Sequence, residues 1–358
     1  MTTLRFFLRK SPTISPSCSL AIIVVLLALA FLAPKECSAL GSNFDYYTKV
    51  KFEYQYSDYL EYNWPDYIEY AFGGHEFSQP NPLLASFPEH RGLVKLTQAF
   101  GSDFELQLMY HYSHNGKTYD YNPISGFSST ESDEAIYNAR GEYKVTDTFS
   151  LNGSAQFTKT PSLDGWMGVL GLDYDFGGFF KISPDISLFR NDIAGTQSNA
   201  QSYNLKLRQA LTNTTALQLK YSYFNTDPVA DQEALNYHTF TWWISQWLPT
   251  ETAVHLFLRY HFDNLEGKSL GPGIEISQYL NWATILTLSY RHFSMTNDDP
   301  ESAFNQAIGG GDFISDAFTV MLKRTIWGDT EIALKYRYYT ANQGVKMNTY
   351  LFSIEQVF

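Results

Sequence analysis

Apolar and polar residues alternate at a period of two through almost all of the chain after residue 40, and this pattern limits the fold more than any other feature. In Thr215–Phe224, every second residue from Leu217 to Tyr223 is apolar or aromatic, and the residues between them are polar. Val254–Phe262 and Glu331–Tyr339 repeat the pattern. Strands place alternate side chains on opposite faces, whereas a helix needs an apolar stripe of period 3.6, which no window of helical length after residue 40 shows. The sequence therefore predicts an all-β fold.

Short polar turns divide the alternating segments into hairpins. Seven turns are recognisable, near residues 102, 146, 177, 213, 250, 281 and 328. Seven hairpins supply fourteen strands, Tyr47–Ser57 adds one and Asn348–Phe358 adds another, which predicts about sixteen strands. We expect these short turns at one end of the sheet and longer, proline-rich or acidic loops at the other, at residues 58–90, 114–133, 226–235 and 295–312.

The first 39 residues have the layout of a secretory signal peptide. Three basic residues within the first ten positions precede an apolar run, Leu20–Ala33, and small residues follow at Cys37–Ala39, where a signal peptidase would cut. The apolar run is short for a transmembrane helix, although a retained membrane anchor is the alternative. We therefore expect residues 1–39 to be removed and residues 40–358 to form the mature domain.

The composition of the chain excludes several classes of protein. The only two cysteines, Cys18 and Cys37, precede residue 40, so no disulfide would hold the mature chain together. The formal net charge of −12 argues against a nucleic-acid partner. Aromatic residues make up 17% of the chain. Charged residues also make up 17%, which is less than the roughly 25% found in soluble domains. No motif for haem attachment, metal binding, phosphate cradling or a nucleophilic serine is found, so the sequence predicts neither a cofactor nor an enzyme.

Long alternating strands, aromatic residues near strand ends, a secretion signal and the lack of thiols are together typical of a barrel whose outer face meets lipid. A soluble β-sandwich or propeller, which also alternates, is the alternative. The C-terminal segment resembles the ending of Gram-negative outer-membrane β-barrels, because Phe358 is aromatic and Tyr350, Phe352 and Ile354 precede it at alternate positions, although Gln356 departs from the apolar stripe. The resemblance implies a transmembrane antiparallel up-and-down barrel in contact with the lipid of a Gram-negative outer membrane. It also implies that the barrel-assembly machinery recognises Tyr350, Phe352, Ile354 and Phe358.

The same alternation selects the residues that would line the interior of such a barrel. Sixteen strands enclose a water-filled lumen, whereas eight strands would be filled by their own side chains. From residue 200 onward the candidate pore-lining residues are basic, namely Lys206, Arg208, Lys220, Arg259, Arg291, Lys323, Lys335 and Arg337. Between residues 103 and 186 the inward positions are mixed but more acidic, with Glu105, Glu142, Asp173, Asp175 and Asp185 beside Arg140, Lys144 and Lys181. This distribution predicts two opposed walls that orient dipolar solutes; the alternative is that the charges solvate the lumen or pair across adjacent strands.

Three functions fit such a barrel. The leading hypothesis is a porin-like channel for passive diffusion of small hydrophilic solutes or ions. The first alternative is the sleeve barrel of an outer-membrane electron conduit, enclosing a periplasmic or extracellular partner cytochrome that brings its own haem. The second alternative is an outer-membrane barrel enzyme, although no catalytic Ser-His or Asp-His group stands out. Porins commonly form homotrimers, but no stripe identifies an interface, and the segment Thr241–Trp247 suits an aromatic girdle, a subunit contact or both.

Overall fold

The computed structural model describes residues 47–61, 88–122, 126–160, 163–177, 179–193, 196–227, 234, 236–264, 267–297, 313–326, 329–342 and 346–358. They form sixteen strands: β1 (Thr48–Glu61), β2 (Pro88–Phe100), β3 (Phe104–Asn122), β4 (Gly126–Thr146), β5 (Phe149–Lys159), β6 (Leu163–Asp175), β7 (Phe180–Ile193), β8 (Thr196–Ala210), β9 (Thr215–Thr226), β10 (Asn236–Leu248), β11 (Thr252–Asp263), β12 (Gly267–Asn281), β13 (Thr284–Asn297), β14 (Phe313–Ile326), β15 (Thr330–Ala341) and β16 (Lys346–Val357). Within these ranges no helix is long and apolar enough to cross a membrane. The predicted all-β class and strand number are confirmed.

The strands close into one antiparallel barrel. Each strand pairs with the strands before and after it in the chain, and β1 pairs with β16. At this seam Tyr54 lies opposite Phe352, and Thr48 and Phe358 exchange two backbone hydrogen bonds with N···O distances of 2.8 and 3.3 Å. Closure leaves no edge strand with a row of unpaired N–H and C=O groups, which is the condition for a sheet to lie in hydrocarbon.

The connections between strands lie at two ends of the barrel. All seven predicted turns are found at one end, the turn end, where β1 begins and β16 finishes. Gly101 and Gly177 adopt positive φ angles of 74° and 73° there, which a residue without a Cβ adopts readily. At the other end, the loop end, the connections at 62–87, 227–235 and 298–312 are long.

Two expectations about the loop end are wrong. Residues 114–133 do not form a long loop, because β3 and β4 stay paired until Asn122 lies opposite Gly126, which leaves only residues 123–125 between them. Four more connections at this end are also short, at residues 160–162, 194–195, 264–266 and 342–345. Polar residues were mistaken for a loop because polarity does not end a strand while its backbone groups remain paired with a neighbour.

The two faces of the sheet differ in chemistry. Large apolar side chains on the outer face expose from 39% to 65% of their surface, and they include Leu108, Leu170, Leu188, Leu256, Leu288, Leu322, Leu334 and Phe352. Aromatic residues accompany them toward the loop end, as at Tyr54, Tyr290 and Tyr350, and toward the turn end, as at Phe104, Tyr143 and Tyr174. The inner face carries small polar residues that are almost fully buried, such as Ser113 and Ser202, and two buried aromatic clusters around Phe313 and Phe224. An apolar band outside and a polar wall inside is the arrangement of a barrel in lipid.

A repeated pair of side chains explains the polar residue in the C-terminal stripe. Gln356 faces outward at the turn end and accepts a hydrogen bond from Thr330, the first residue of the neighbouring strand. Three other Thr–Gln pairs occupy equivalent places among the described strands, with O···O distances of 2.6 to 2.7 Å: Thr48–Gln98, Thr215–Gln246 and Thr252–Gln278. Each glutamine also donates to the backbone carbonyl of the next residue. Gln356 therefore belongs to a recurring structural feature of the turn end.

Candidate functional site

All twelve candidate pore-lining residues lie on the inner face of the barrel. Lys206, for example, lies between the outward-facing Leu205 and Leu207, and Lys323 follows the outward-facing Leu322. The eight basic candidates lie on β8, β9, β11, β13, β14 and β15, and the four acidic ones on β3, β4 and β6. The strands therefore place the two groups on different parts of the wall, while their action on a solute stays a prediction.

Some of these charges are neutralised by their neighbours. The Nζ atom of Lys323 lies 2.5 Å from a carboxylate oxygen of Glu331, and that of Lys181 lies 3.3 Å from Asp173. Two further pairs join inward residues near the seam, Lys49 with Glu355 at 2.6 Å and Lys51 with Glu53 at 2.8 Å. For Lys323 and Asp173, the alternative of pairing across adjacent strands is what the structure shows.

The acidic wall also contains like charges that face each other. Glu105 on β3 lies directly opposite Glu142 on β4. The hydroxyl of Tyr47 donates to Glu105, and the hydroxyl of Ser150 donates to Glu142 over 3.4 Å. Hydroxyl donors thus stabilise the two carboxylates without neutralising them.

A set of basic residues on β8, β9 and β11, which we call the basic track, comprises Arg208, Lys206, Lys220 and Arg259. Lys206 lies directly opposite Lys220 across the β8–β9 pair. Lys220 and Arg259 both lie opposite Thr241 of β10, one on each side. Within the described part of the chain, Lys206, Arg208 and Lys220 form no ion pair. Because like charges directly opposite each other destabilise a sheet, the Lys206–Lys220 pair opposes the stability of the barrel.

One carboxylate lies beside the basic track. Asp185 on β7 is opposite Asn204 on β8, one inward position from Lys206 toward the loop end. Asn204 donates a hydrogen bond of 2.7 Å to Asp185, so this carboxylate already has a neutral partner. The four cations of the basic track thus outnumber the carboxylate beside them, and the Oδ1 atom of Asn204 has no hydrogen-bond partner among the described residues.

Two aromatic residues, which we call the aromatic shelf, adjoin the basic track. Trp243 on β10 lies opposite Gln218, which in turn lies opposite Arg208. On its other side Trp243 meets Phe257 of β11, with ring centroids 5.5 Å apart and planes inclined by 31°.

The Phe257 ring also contacts residues of β12 and β13. It lies over Gly273 of β12, where a Cβ atom would overlap the ring. The guanidinium carbon of Arg291 lies 4.9 Å from the ring centroid. A cation over an aromatic face is attracted by the ring quadrupole, so Arg291 and Gly273 together fix the side of the shelf that faces away from the basic track.

Sequence reasoning missed the aromatic shelf. The segment Thr241–Trp247 was interpreted as a girdle or a subunit contact, but only Trp242 of its three tryptophans faces outward, and Trp243 and Trp247 face inward. The signal was present in β11, where Phe257 stands among polar residues on the inward face of an otherwise regular alternation. An apolar residue on the polar side of a lipid-exposed strand marks a place where the lumen wall is not simply solvated.

Comparisons with known proteins place the fold. No protein-family model and no curated protein matches the sequence. Among solved structures, a bacterial polysaccharide outer membrane secretin aligns with a TM-score of 0.53 and 9% identity, over 86% of this chain and 98% of that one. Pseudomonas aeruginosa OccK1 (OpdK) aligns with a TM-score of 0.50 and 10% identity, over 88% of this chain and 98% of that one.

The fold is a closed β-barrel like those of these outer-membrane proteins. The class-level resemblance deduced from the strand pattern and the C-terminal stripe is therefore confirmed at the level of the barrel. The predicted signal peptide lies outside the described residues and stays a prediction. No group of three or more His, Cys, Asp or Glu side chains in the described ranges could hold a metal ion. The basic track and the aromatic shelf are the candidate site of this barrel.

Proposed function

We propose that this protein is an outer-membrane channel through which small hydrophilic solutes diffuse passively, with a preference for anions. The observation that carries the proposal is the basic track, in which Lys206 faces Lys220 and neither forms an ion pair with a described residue. An anion in the lumen would relieve this repulsion. A wet passage between walls of low dielectric focuses the field of such charges on the solute.

Two features expected from the sequence stay predictions within this proposal. They are cleavage after residue 39 and recognition of Tyr350, Phe352, Ile354 and Phe358 by the barrel-assembly machinery. The homotrimer and the partner cytochrome of the sleeve alternative are not part of the proposal. For the enzyme alternative, the described strands contain two hydrogen-bonded His–Asp pairs, His114 with Asp133 and His292 with Asp316, but both lie on the outer face of the barrel and do not line the lumen. A passive channel needs only the wide barrel and its polar wall.

The conductance of the purified protein tests the proposal. In a planar bilayer with a KCl gradient, we expect open-channel currents and a reversal potential that favours chloride. The preference should weaken as salt rises, because the screening length falls from about 10 Å at 0.1 M to about 3 Å at 1 M. A barrel that conducts nothing would refute the channel. A preference for potassium at low salt would refute the role of the basic track.

The orientation of the barrel gives a second test. In outer-membrane barrels short turns face the periplasm and longer loops face outward, so we expect the loop end outside. Epitope tags after Asn297, at the end of β13, and at Gly177, in the turn between β6 and β7, report on the two ends. Antibody should label intact cells through the tag at Asn297 alone, and labelling through Gly177 alone would reverse the assignment.

A further inference from the structure

The charge of the basic track distinguishes between classes of anion. Lys206 and Lys220 are direct cross-strand neighbours, and Arg208 is the next inward residue of β8. Directly opposite Cβ atoms lie about 4.5–5.5 Å apart, so three long basic side chains can converge on one group. A carboxylate would bring one negative charge to them. A phosphate monoester brings nearly two at pH 7, together with three strong acceptor oxygens.

The donors of the basic track suit a phosphate group in their geometry as well. The guanidinium of Arg208 can bind two phosphate oxygens at once, and the lysine ammonium groups act as point charges for the third. Neutral sugars would gain little from these residues, because a sugar hydroxyl carries no formal charge to balance the cations of the basic track. The charge and the donor set therefore both favour a dianion.

The aromatic shelf adds a second contact within reach of the same group. Gln218 separates Arg208 from Trp243 along one row of directly paired residues, and Lys220 is the diagonal neighbour of Trp243. Diagonal neighbours lie about 7–8 Å apart, within reach of long side chains. Trp243 is half-buried, and Phe257 supports it from the side away from the basic track. A planar ring could stack on Trp243 while its phosphate meets the three cations.

We infer that Lys206, Arg208, Lys220 and Trp243 form a lumen binding site for a phosphate monoester that carries a planar ring. The inference rests on the proposed channel, since the solute reaches the site through the lumen, and it names the class of solute that the channel retains. A nucleoside monophosphate is the simplest probe of this class, because base, sugar and phosphate can be removed separately.

Titration calorimetry of the folded barrel in detergent at low salt tests the site without relying on conductance. The probes are AMP, ribose 5-phosphate, adenosine and benzoate. We expect AMP to bind most tightly and ribose 5-phosphate about tenfold more weakly, because stacking of a base on an aromatic side chain is lost. Adenosine and benzoate should bind more weakly still, since the first lacks the charge and the second carries half of it.

Two sets of variants assign the contacts. Trp243→Ala should weaken AMP about tenfold and leave ribose 5-phosphate unchanged, whereas Trp242→Ala, the adjacent tryptophan on the outer face, should leave both unchanged. The double substitution Lys206→Gln with Lys220→Gln should weaken both phosphates on the order of a hundredfold, because two hydrogen bonds to a charged group are lost. Its matched control, Lys159→Gln with Lys346→Gln, removes two lysines from the outer face near the loop end. Heat-modifiable migration on gels shows that each variant is folded.

The outcomes separate the binding site from the channel. Anion-selective conductance without AMP binding would overturn the site and leave the channel in place. AMP binding by a barrel that conducts no ions would overturn the channel. Equal affinity for benzoate and AMP would overturn the choice of a phosphate, and equal loss in Trp242→Ala and Trp243→Ala would overturn the stacking contact.

Discussion

Replacement of both Lys206 and Lys220 with glutamate should turn the anion preference that we propose for this channel into a cation preference. The two residues face each other on the inner wall, so the double variant changes the local charge by four units without altering the outer face. Lumen substitutions tune selectivity, whereas substitutions on the lipid face destabilise the barrel. The new carboxylates would gain Arg208 and Arg259 as neighbours, but they would still face each other and would lie near Asp185. Heat-modifiable migration on gels therefore has to show that the double variant is folded. The reversal potential at about 0.1 M KCl, where screening is weak, measures the effect.

A double variant of equal charge change controls for net charge. Lys159→Glu with Lys346→Glu alters two residues of the outer face near the loop end. We expect this variant to keep the anion preference. An equal shift in both doubles would mean that selectivity follows the overall charge of the barrel and that the basic track has no special part in it.

An arginine at Leu288, on the outer face of β13, should destabilise the barrel far more than an arginine at Ser289, which is the next residue and faces the lumen. Leu288 exposes 40% of its surface on the outer face and lies between Ile276 and Val320 of the neighbouring strands. Leu288→Arg is expected to cost about 2–4 kcal/mol of unfolding free energy, because a charge at the level of the bilayer midplane has no polar partner. Guanidinium unfolding of the barrel in lipid vesicles measures this cost.

Ser289 provides the matched control within the same strand. It faces inward, between Glu275 of β12 and Thr319 of β14. Ser289→Arg should change the unfolding free energy by less than about 1 kcal/mol, since the new charge is in water and near a carboxylate. Similar losses in both variants would show that the faces of β13 have been assigned incorrectly.

The period-two pattern and the turn residues were sufficient to predict most of the barrel. Strand number, turn positions and the face of every candidate charge follow from alternation, because a strand has only two faces. The loop at 114–133 was wrong, since the strand continues beyond the apolar band. Partners across the wall could not be predicted, because they depend on register between strands. Lys323 meets Glu331 and Lys206 meets Lys220 only in the register that the barrel adopts.

The sequence predicted the basic residues of the candidate site but not its aromatic residues. The basic residues stood out because every inward polar position is a candidate for the lumen. Trp243 and Phe257 did not, because an aromatic residue in such a chain is first assigned to the lipid side. Gly273 explains the exception, since the absence of a Cβ there makes room for the Phe257 ring. The sequence alone does not show that Gly273 of β12 lies two strands away from Trp243 of β10, so it could not predict this space for the ring.

The pairing of β1 with β16 brings together residues that are far apart in the sequence. Lys49 and Val357 are partners, so the final set of backbone hydrogen bonds joins residues from opposite ends of the described chain. Until β16 is in place, the growing sheet has two open edges whose peptide groups have no partner in hydrocarbon, at a cost of several kcal/mol for each unsatisfied group. Loop-closure entropy is also lost before these contacts form. An unclosed sheet of fifteen strands would therefore be unstable in the membrane, and the pairing of β1 with β16 removes that cost.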